Sequence, residues 1–490
     1  MTTPLAERLA VVRRAPSGPH VAAYFDYDGT VIDGYSAGAF YRHRLRSLSM
    51  SVPELLRTVV AGLRGIHSRE DFEAFLALSL EAWSGHPESE LDELGERLFR
   101  DEIANRLHLG VWQLVQAHRE KGHRVVLASS ATRFQVVPMA RELEADDVLC
   151  TELEVADGVL TGRVAGRSLW GTAKAEAALA DARRHGVDLT ASFAYSNGDE
   201  DVPLLEAVGH PVAVAPTDAL RRDAGARSWP VLDCAPRGGP VPGVGEIART
   251  AAFYGGMVGA MATAGGIGLL RGSRRTAIDL ACSLGADVGF GLAGIDLAVE
   301  GTENLWAARP CVFVFNHQSN VDALLMMKLL RSGFTGVAKK EVASFPLWGQ
   351  FFKFADVAFI DRANSVAARQ ALEPAVRKVR DDGISLAISP EGTRSATPRL
   401  GPFKKGPFHI AMQAGVPMVP IVIRNAAEVM SRGAQTLRRG TVDIHVLPPV
   451  DTSTWTAQTV DEHVAEVRGM FLEALTDWPV TPRRAEGATS

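Results

Sequence analysis

Two short stretches of this chain hold residues whose types and spacing could do chemistry. In Val312-Phe313-Val314-Phe315-Asn316-His317-Gln318-Ser319-Asn320-Val321-Asp322 an apolar, β-prone run ends at a histidine, and an aspartate follows five residues later. An imidazole titrates near neutrality, so a histidine at a strand end can take the proton of an alcohol, which is otherwise a poor nucleophile. The spacing places Asp322 about one turn into a following helix that runs to about Leu330. From there its carboxylate can return to the ring, fix the tautomer and stabilise the charged form. In the second stretch, Val21-Ala22-Ala23-Tyr24-Phe25-Asp26-Tyr27-Asp28-Gly29-Thr30, a buried-strand pattern ends in two carboxylates and a glycine turn.

An HxxxxD pair alone arises by chance in many chains. Here it is followed, in order, by Ser389-Pro390-Glu391-Gly392-Thr393-Arg394-Ser395, by Phe403-Lys404-Lys405-Gly406 and by Gly415-Val416-Pro417-Met418-Val419-Pro420. The four blocks together resemble the glycerolipid acyltransferases of the lysophosphatidate acyltransferase type, over roughly residues 300–450. The resemblance implies transfer of a fatty acyl group from an acyl thioester, acyl-CoA or acyl-carrier protein, to lysophosphatidate to make phosphatidate. Glycerol 3-phosphate or another lysophospholipid would use the same base and phosphate clamp. His317 and Asp322 would be the catalytic pair, and the acceptor hydroxyl would attack the thioester directly. The resemblance assigns the acceptor's phosphate to Arg394, a bidentate ligand by nature, held in a tight turn by Glu391, Gly392 and Thr393. Phe359-Ile360-Asp361-Arg362 looks like the family's second block without its leading glycine, which makes Arg362 a further phosphate candidate. Lys404 is another. Lys404 with Lys405 reads equally well as a solvated charge pair, and for Lys339 with Lys340 that reading is the preferred one. Residues 416–420 read as a buried strand that shapes the site.

The upstream stretch has its own retinue. Val125-Val126-Leu127-Ala128-Ser129-Ser130 is a strand ending in a hydroxyl, Lys174 opens a helical run over 174–182, and Tyr195-Ser196-Asn197-Gly198-Asp199-Glu200-Asp201 is an acidic loop. This order resembles the haloacid dehalogenase superfamily of phosphatases, nearest its phosphoserine-phosphatase-like branch with a helical cap, over roughly 20–220. The resemblance implies that Asp26 attacks phosphorus, that Asp28 shuttles the proton, and that Ser129 and Lys174 bind phosphate. Mg²⁺ would be held by Asp26, Asp28, Asn197 and Asp201 and would neutralise the crowded oxygens. Asn197 departs from the family's aspartate and loses a charge there; Asp199 could substitute if the loop shifts. The whole resembles the two-part hydrolase–acyltransferase proteins known from bacteria. Two alternatives remain open: a phosphatase-centred bifunctional enzyme, and an acyltransferase with a degenerate, regulatory N-terminal module.

Composition frames these sites. A chain of 490 residues with 46% apolar content and two motif systems predicts several domains, each with its own core. The expected fold class is α/β. A doubly wound, Rossmann-like domain occupies 1–235, with a helical cap over about 34–115 drawn from apolar spacing at 52–63, 72–83 and 91–107. A Pro/Gly linker and apolar segment cover 236–300, an α/β acyltransferase domain covers 301–480, and a flexible tail 481–490. A net charge of −5 gives no reason to expect nucleic acid. Cys150, Cys234, Cys282 and Cys311 are scattered without CxxC spacing, which argues against a zinc site or disulfide framework and fits a reducing cytosol. The first twenty residues lack the apolar core of a signal peptide.

Residues 251–270 carry no charge and are long enough to span a bilayer, and Arg271, Arg274 and Arg275 follow at once. A single span would separate two halves that both need cytosolic substrates, and Asp279, Asp287 and Asp296 are costly at a bilayer centre. The preferred reading is a shallow helical hairpin or an interfacial helix on the cytoplasmic face of the plasma membrane, its arginines meeting anionic headgroups. A buried core helix is the alternative. Small residues at Gly255, Gly259, Ala260 and Ala264 would let two helices pack closely. Oligomeric state is not encoded in any pattern found.

Overall fold

A computed structural model of the 490-residue chain describes residues 4–47, 50, 68–234, 242–344, 348–360, 365–395, 397–430 and 434–476. The chain divides into two compact units, Met1–Gly239 and Pro240–Ser490. The expected helix at 52–63, Arg362 and the 481–490 tail lie outside the described residues.

The first unit is built on a six-stranded sheet in the order β3-β2-β1-β6-β7-β8. Its members are β1 (Ala22–Phe25), β2 (Arg124–Thr132), β3 (Asp147–Thr151), β6 (Phe193–Ser196), β7 (His210–Val214) and β8 (Val231–Leu232). Every pairing is parallel, which is why β1 and β6 are buried throughout rather than alternating. Helices cover both faces. Ala22 and Tyr24 pack with Ala175 and Ala178 of the Thr172–His185 helix, while Phe25 meets His118 of the Leu109–Glu120 helix edge-on at 5.9 Å.

The cap includes the helices Ala37–Arg46, Arg69–Glu81 and Glu88–Leu98. The apolar run expected to stay helical over 91–107 breaks at Leu98, continuing as a π turn and a 3₁₀ turn, Phe99–Ile103 and Ala104–Arg106. Glu102 in that widened turn accepts from Nε and Nη2 of Arg42, at 3.0 and 2.9 Å, and ties it to the first cap helix. A two-stranded hairpin, β4 (Leu153–Ala156) and β5 (Val159–Val164), was not expected. Asp157-Gly158 at its tip both take positive φ, as a tight hairpin turn demands.

The second unit centres on a seven-stranded sheet, β12-β11-β13-β10-β14-β15-β9. The strands are β9 (Ile295–Glu300), β10 (Val312–Phe315), β11 (Phe334–Lys339), β12 (Ala358–Ile360), β13 (Ser385–Ile388), β14 (Met418–Ile423) and β15 (Gly440–Val446). Only the β14–β15 pairing is antiparallel. Side chains of central β10 alternate between two cores: Phe313 and Phe315 face one, Val312 and Val314 the other.

The apolar segment forms a helical hairpin, Val244–Leu270 and Arg274–Ala293, turned at Gly272 (φ +62°) and capped by Ser273 Oγ, which accepts from Thr276 N–H at 3.2 Å. Phe253, Met257, Ala260, Ala264 and Gly268 form its buried stripe, and Phe253, Met257, Ile278 and Phe290 join the Phe313 core. The hairpin is therefore packed against its own domain along one side. Its other side, at Ala251, Ala252, Gly255, Gly259, Ala262, Gly266, Leu269 and Leu270, is exposed and uncharged. Of the small residues expected at the helix contact, Ala260 and Ala264 are buried, but Gly255 and Gly259 face away. The close approaches are at Gly256, Gly268 and Gly289, where a Cβ would stand 2.5 Å from Leu292 Cδ1, 2.4 Å from Ala277 Cβ and 2.6 Å from Met257 Cγ. The acids of the second helix turn inward: Asp279 pairs with Arg275 at 2.8 Å and Asp287 with Lys328 and Arg331 at 3.0 and 2.9 Å.

Two candidate active sites

In the second unit β10 delivers His317 just beyond the end of the central strand, where parallel sheets place their ligand crevices. Asn316 fixes the exit: its Nδ2 donates to Ile423 O and its Oδ1 accepts from Ile423 N–H, both at 2.7 Å, so a side-chain amide extends the β10–β14 ladder by one step. Asp322, fully buried, opens the Asp322–Leu330 helix. Its Oδ2 lies 2.8 Å from His317 Nδ1 and accepts from Gln318 N–H and Ser319 N–H at 2.7 and 2.8 Å. With Nδ1 turned to this carboxylate oxygen, Nε2 is the ring nitrogen left to meet a substrate. The His317 ring keeps 22% exposure, enough for an alcohol to reach it.

Glu391 is 5% exposed and turned inward. Its Oε1 accepts from His317 N–H at 2.8 Å and its Oε2 from Gly401 N–H at 2.9 Å. Burial pushes its pKa up while these two N–H groups pull it down. The carboxylate read from sequence as shaping a phosphate turn thus also holds the backbone of the histidine. Ser395 N–H donates to His317 O at 2.8 Å, closing the loop on the other side. Gly392 takes φ +68°, and a Cβ there would meet Lys404 Cε and Nζ at 3.0 Å, so the Lys404 chain lies across this turn. Arg394 Nη1 donates to Asn320 Oδ1 at 2.5 Å, which brings its guanidinium to the His317–Asp322 loop. Thr393 is exposed beside it. Lys405 pairs with Asp461 at 2.8 Å and Lys339 with Glu341 at 3.1 Å, both exposed.

In the first unit the ends of β1, β2 and β6 bring the predicted residues together. Asp26 N–H donates to Tyr195 O at 2.9 Å across the β1–β6 pair. Lys174, 2% exposed near the start of its helix, donates to Asp26 Oδ1 at 2.8 Å and Asp201 Oδ2 at 2.6 Å. Thr30 Oγ1 donates to Asp26 Oδ2 at 3.0 Å and lies 3.1 Å from Asn197 Oδ1. Gly29 (φ +81°) is required by the neighbour: a Cβ would fall 2.1 Å from Asn197 Nδ2. Ser129 is buried, its Oγ accepting from Ala131 N–H at 3.1 Å. Asp28 accepts from Ser36 N–H at 2.7 Å and Ser36 Oγ–H at 3.1 Å, and burial still pushes its pKa up to about 7. Gln135 Nε2 donates to Ser36 Oγ at 2.9 Å, a supporting contact that no sequence pattern pointed to. Burial, with Asp201 beside it, likewise raises Glu200 to about 7. Asp199, offered above as a substitute ligand, instead accepts from Thr217 Oγ1 at 3.3 Å on the surface.

Family models match the chain twice: haloacid dehalogenase-like hydrolase over residues 23–206 and acyltransferase over 296–424. An uncharacterised acyltransferase of Schizosaccharomyces pombe is 34% identical over 194 residues, 38% of this chain and 70% of that protein. Phosphoserine phosphatase SerB1 of Mycobacterium tuberculosis is 33% identical over 225 residues, 45% of this chain and 73% of that protein. The chain belongs to both families. A 1-acyl-sn-glycerol-3-phosphate acyltransferase of Limnanthes alba is 36% identical over 184 residues, 38% of this chain. The chain spans 65% of that relative, slightly under two thirds.

Haloacid dehalogenase-like hydrolases use a hard divalent cation, and the donors here suit one: Asp26, Asp28, Asn197 and Asp201 offer oxygen alone. Asp201 Oδ1 is buried without a hydrogen-bond partner, as an atom awaiting a ligand would be. A different trio, Asp147, Asp181 and His185, has ligand atoms within 4.8 Å of one another. Arg124 already lies between two of its members, 2.7 Å from Asp147 and 2.9 Å from Asp181, so a cation is in place there.

Proposed function

We propose that the second unit is a 1-acylglycerol-3-phosphate O-acyltransferase. The observation that carries the reading is the His317 Nδ1–Asp322 Oδ2 contact at 2.8 Å, which occupies Nδ1 and leaves Nε2 as the ring nitrogen available to act as base at an accessible strand end. The acceptor hydroxyl gives its proton to Nε2 as its oxygen attacks the thioester carbonyl. When the tetrahedral centre collapses, the C–S bond breaks and the imidazolium returns the proton to the departing thiolate. Asp322 stabilises the imidazolium between these steps without taking the proton itself. Arg394, beside Asn320, and Lys404, across Gly392, supply positive charge for the acceptor's phosphate, and Arg362 is assigned the same task. The donor is acyl-CoA or acyl-carrier protein.

The exposed, charge-free side of the Val244–Leu270 helix, ending in Leu269 and Leu270 and followed by exposed Arg271, supports attachment to the cytoplasmic face of a membrane by a shallow hairpin. Arg274 and Arg275, expected to meet headgroups, instead pair with Asp356 at 2.7 Å and Asp279 at 2.8 Å. Both hairpin helices are apolar and long enough to cross a bilayer, but a crossing helix cannot also share a core with Phe313.

For the first unit we propose a phosphomonoester hydrolase. Asp26, oriented by Lys174 and Thr30, attacks phosphorus, and Asp28, protonated near neutrality, gives its proton to the leaving alcohol. Asp28 then takes a proton from water, which cleaves the aspartyl phosphate and releases phosphate and Asp26. Mg²⁺, when bound, neutralises charge on the transferring phosphoryl group. Asn197 favours a second reading, a module that binds phosphate without turning it over. Phosphate release by wild type but not by Asp26→Asn would favour hydrolysis; equal release by both would leave the binding module. For the acyltransferase, thiol release from palmitoyl-CoA on adding lysophosphatidate, compared between wild type and His317→Ala, is the test.

A further inference from the structure

The residues that hold His317 lead to a part of the chain beyond the matched acyltransferase region, which ends at residue 424. Arg468 lies on the Val460–Thr476 helix and is half-buried. Its Nη2 donates to Leu400 O at 3.1 Å and its Nε to Gly401 O at 3.3 Å. The Leu400 carbonyl and the Gly401 N–H belong to one peptide group, and that N–H is the one donated to Glu391 Oε2 at 2.9 Å. The other oxygen of Glu391 takes the His317 N–H at 2.8 Å.

We infer that Arg468 is a positioning residue for acyl transfer, acting through the 400–401 peptide and Glu391 on the backbone of His317. A guanidinium on the carbonyl side of a peptide polarises it and makes its N–H a stronger donor, because hydrogen bonds in series reinforce one another at low dielectric. The polarisation that Arg468 induces thereby reaches Glu391 without contact between the two side chains. Glu391 needs this help, since burial works against its ionised form, and the ionised form is the stronger acceptor for the two N–H groups. Gly401 is part of the device: a Cβ there would stand 2.9 Å from Glu391 Oε2. A side chain would push the carboxylate off the histidine's N–H. Arg468 touches no reacting atom. It sets where Nε2 points.

This inference rests on the acyltransferase reading. The test is a double-mutant cycle on the full chain in detergent–lipid micelles, with palmitoyl-CoA and lysophosphatidate as probes and thiol release as readout. Arg468→Ala is expected to lower kcat about tenfold with KM for both substrates within about twofold, since misplacing a catalytic base costs rate and not binding. Arg468→Lys, which keeps a charged donor, is expected to recover more of kcat than Arg468→Gln, which keeps a neutral one. In the Glu391→Gln background, Arg468→Ala is expected to add little, because the two act in one chain. Wild-type kcat in Arg468→Ala, or additive losses in the double variant, would overturn the inference while leaving the acyltransferase reading standing. If the alanine variant does not fold, equal kcat in Arg468→Lys and Arg468→Gln would overturn it instead. A wild-type chain that releases no thiol on adding acceptor would overturn both.

Discussion

At His317 the chemistry depends on one oxygen atom. Asp322 Oδ2 accepts the ring's Nδ1–H and two backbone N–H groups, so Asp322→Asn would have to turn either an amide oxygen or an amide nitrogen toward three donors. The oxygen can keep them but carries no full charge to stabilise an imidazolium. Asp322→Asn is expected to lower kcat by about 10²–10⁴-fold, measured as initial rate of thiol release, with far-UV circular dichroism unchanged. The pairing was legible because both residues sit within one loop, five positions apart. The task of Glu391 was not, since its partners are backbone N–H groups far along the chain that no residue type announces. Gln135 and Arg468 were hidden because their partners, Ser36 Oγ and the Leu400 and Gly401 carbonyls, also lie far along the chain.

Asp28 gives a residue-scale prediction with a definite sign. Its folded pKa of about 7 stands above the ordinary aspartate value near 3.9. The fold therefore binds the proton more tightly than the unfolded chain does. This contribution is fully present below about pH 4 and is lost as pH rises through about 7. In metal-free buffer, Asp28→Asn is expected to unfold later than wild type at pH 8, by on the order of 2–4 kcal/mol, with the gap much narrower at pH 5 and closed only below about pH 4. Denaturant melts at the two pH values would show it; a gap independent of pH would contradict it.

Among the elements, the helical hairpin is the one whose phase mattered most. Glycine and alanine occur all round the Val244–Leu270 helix, so spacing alone could not say which small residues meet the second helix. The large residues decide it: Phe253 and Met257 enter the core and bring Gly256 and Gly268, not Gly255 and Gly259, against the partner. Gly289→Leu, whose Cβ would already be 2.6 Å from Met257 Cγ, is expected to destabilise the second unit by about 1–3 kcal/mol. Gly255→Leu, facing open space, is expected to leave the melting temperature within about 2 °C and to strengthen binding to anionic vesicles. Equal effects of the two variants on melting would refute this assignment of faces. The β4–β5 hairpin was announced by its Asp157-Gly158 dipeptide, a turn signal flanked by Val155 and Val159. The cap's break after Leu98 had no such sign, because apolar spacing continues through Ile103 and Leu107 and only the pull of Arg42 on Glu102 marks it.

For the whole molecule, the order of blocks made both families readable from sequence: the parallel strands β1, β6, β10 and β13 send Asp26, Asn197, His317 and Glu391 to positions just beyond their ends. What the blocks could not carry is how each site is braced. Flotation with vesicles containing anionic lipid is expected to lift the full chain, and raised salt is expected to weaken the part of the binding that rests on exposed Arg271. A chain that stays at the bottom of the gradient with and without salt would contradict interfacial attachment. The most direct test of the central claim is the rate of thiol release from palmitoyl-CoA on adding lysophosphatidate, in wild type and in His317→Ala. The expected result is acceptor-dependent release by wild type and a loss of about 10²–10⁴-fold in the variant. Equal release by the two proteins would remove His317 as the base and, with it, the proposed mechanism.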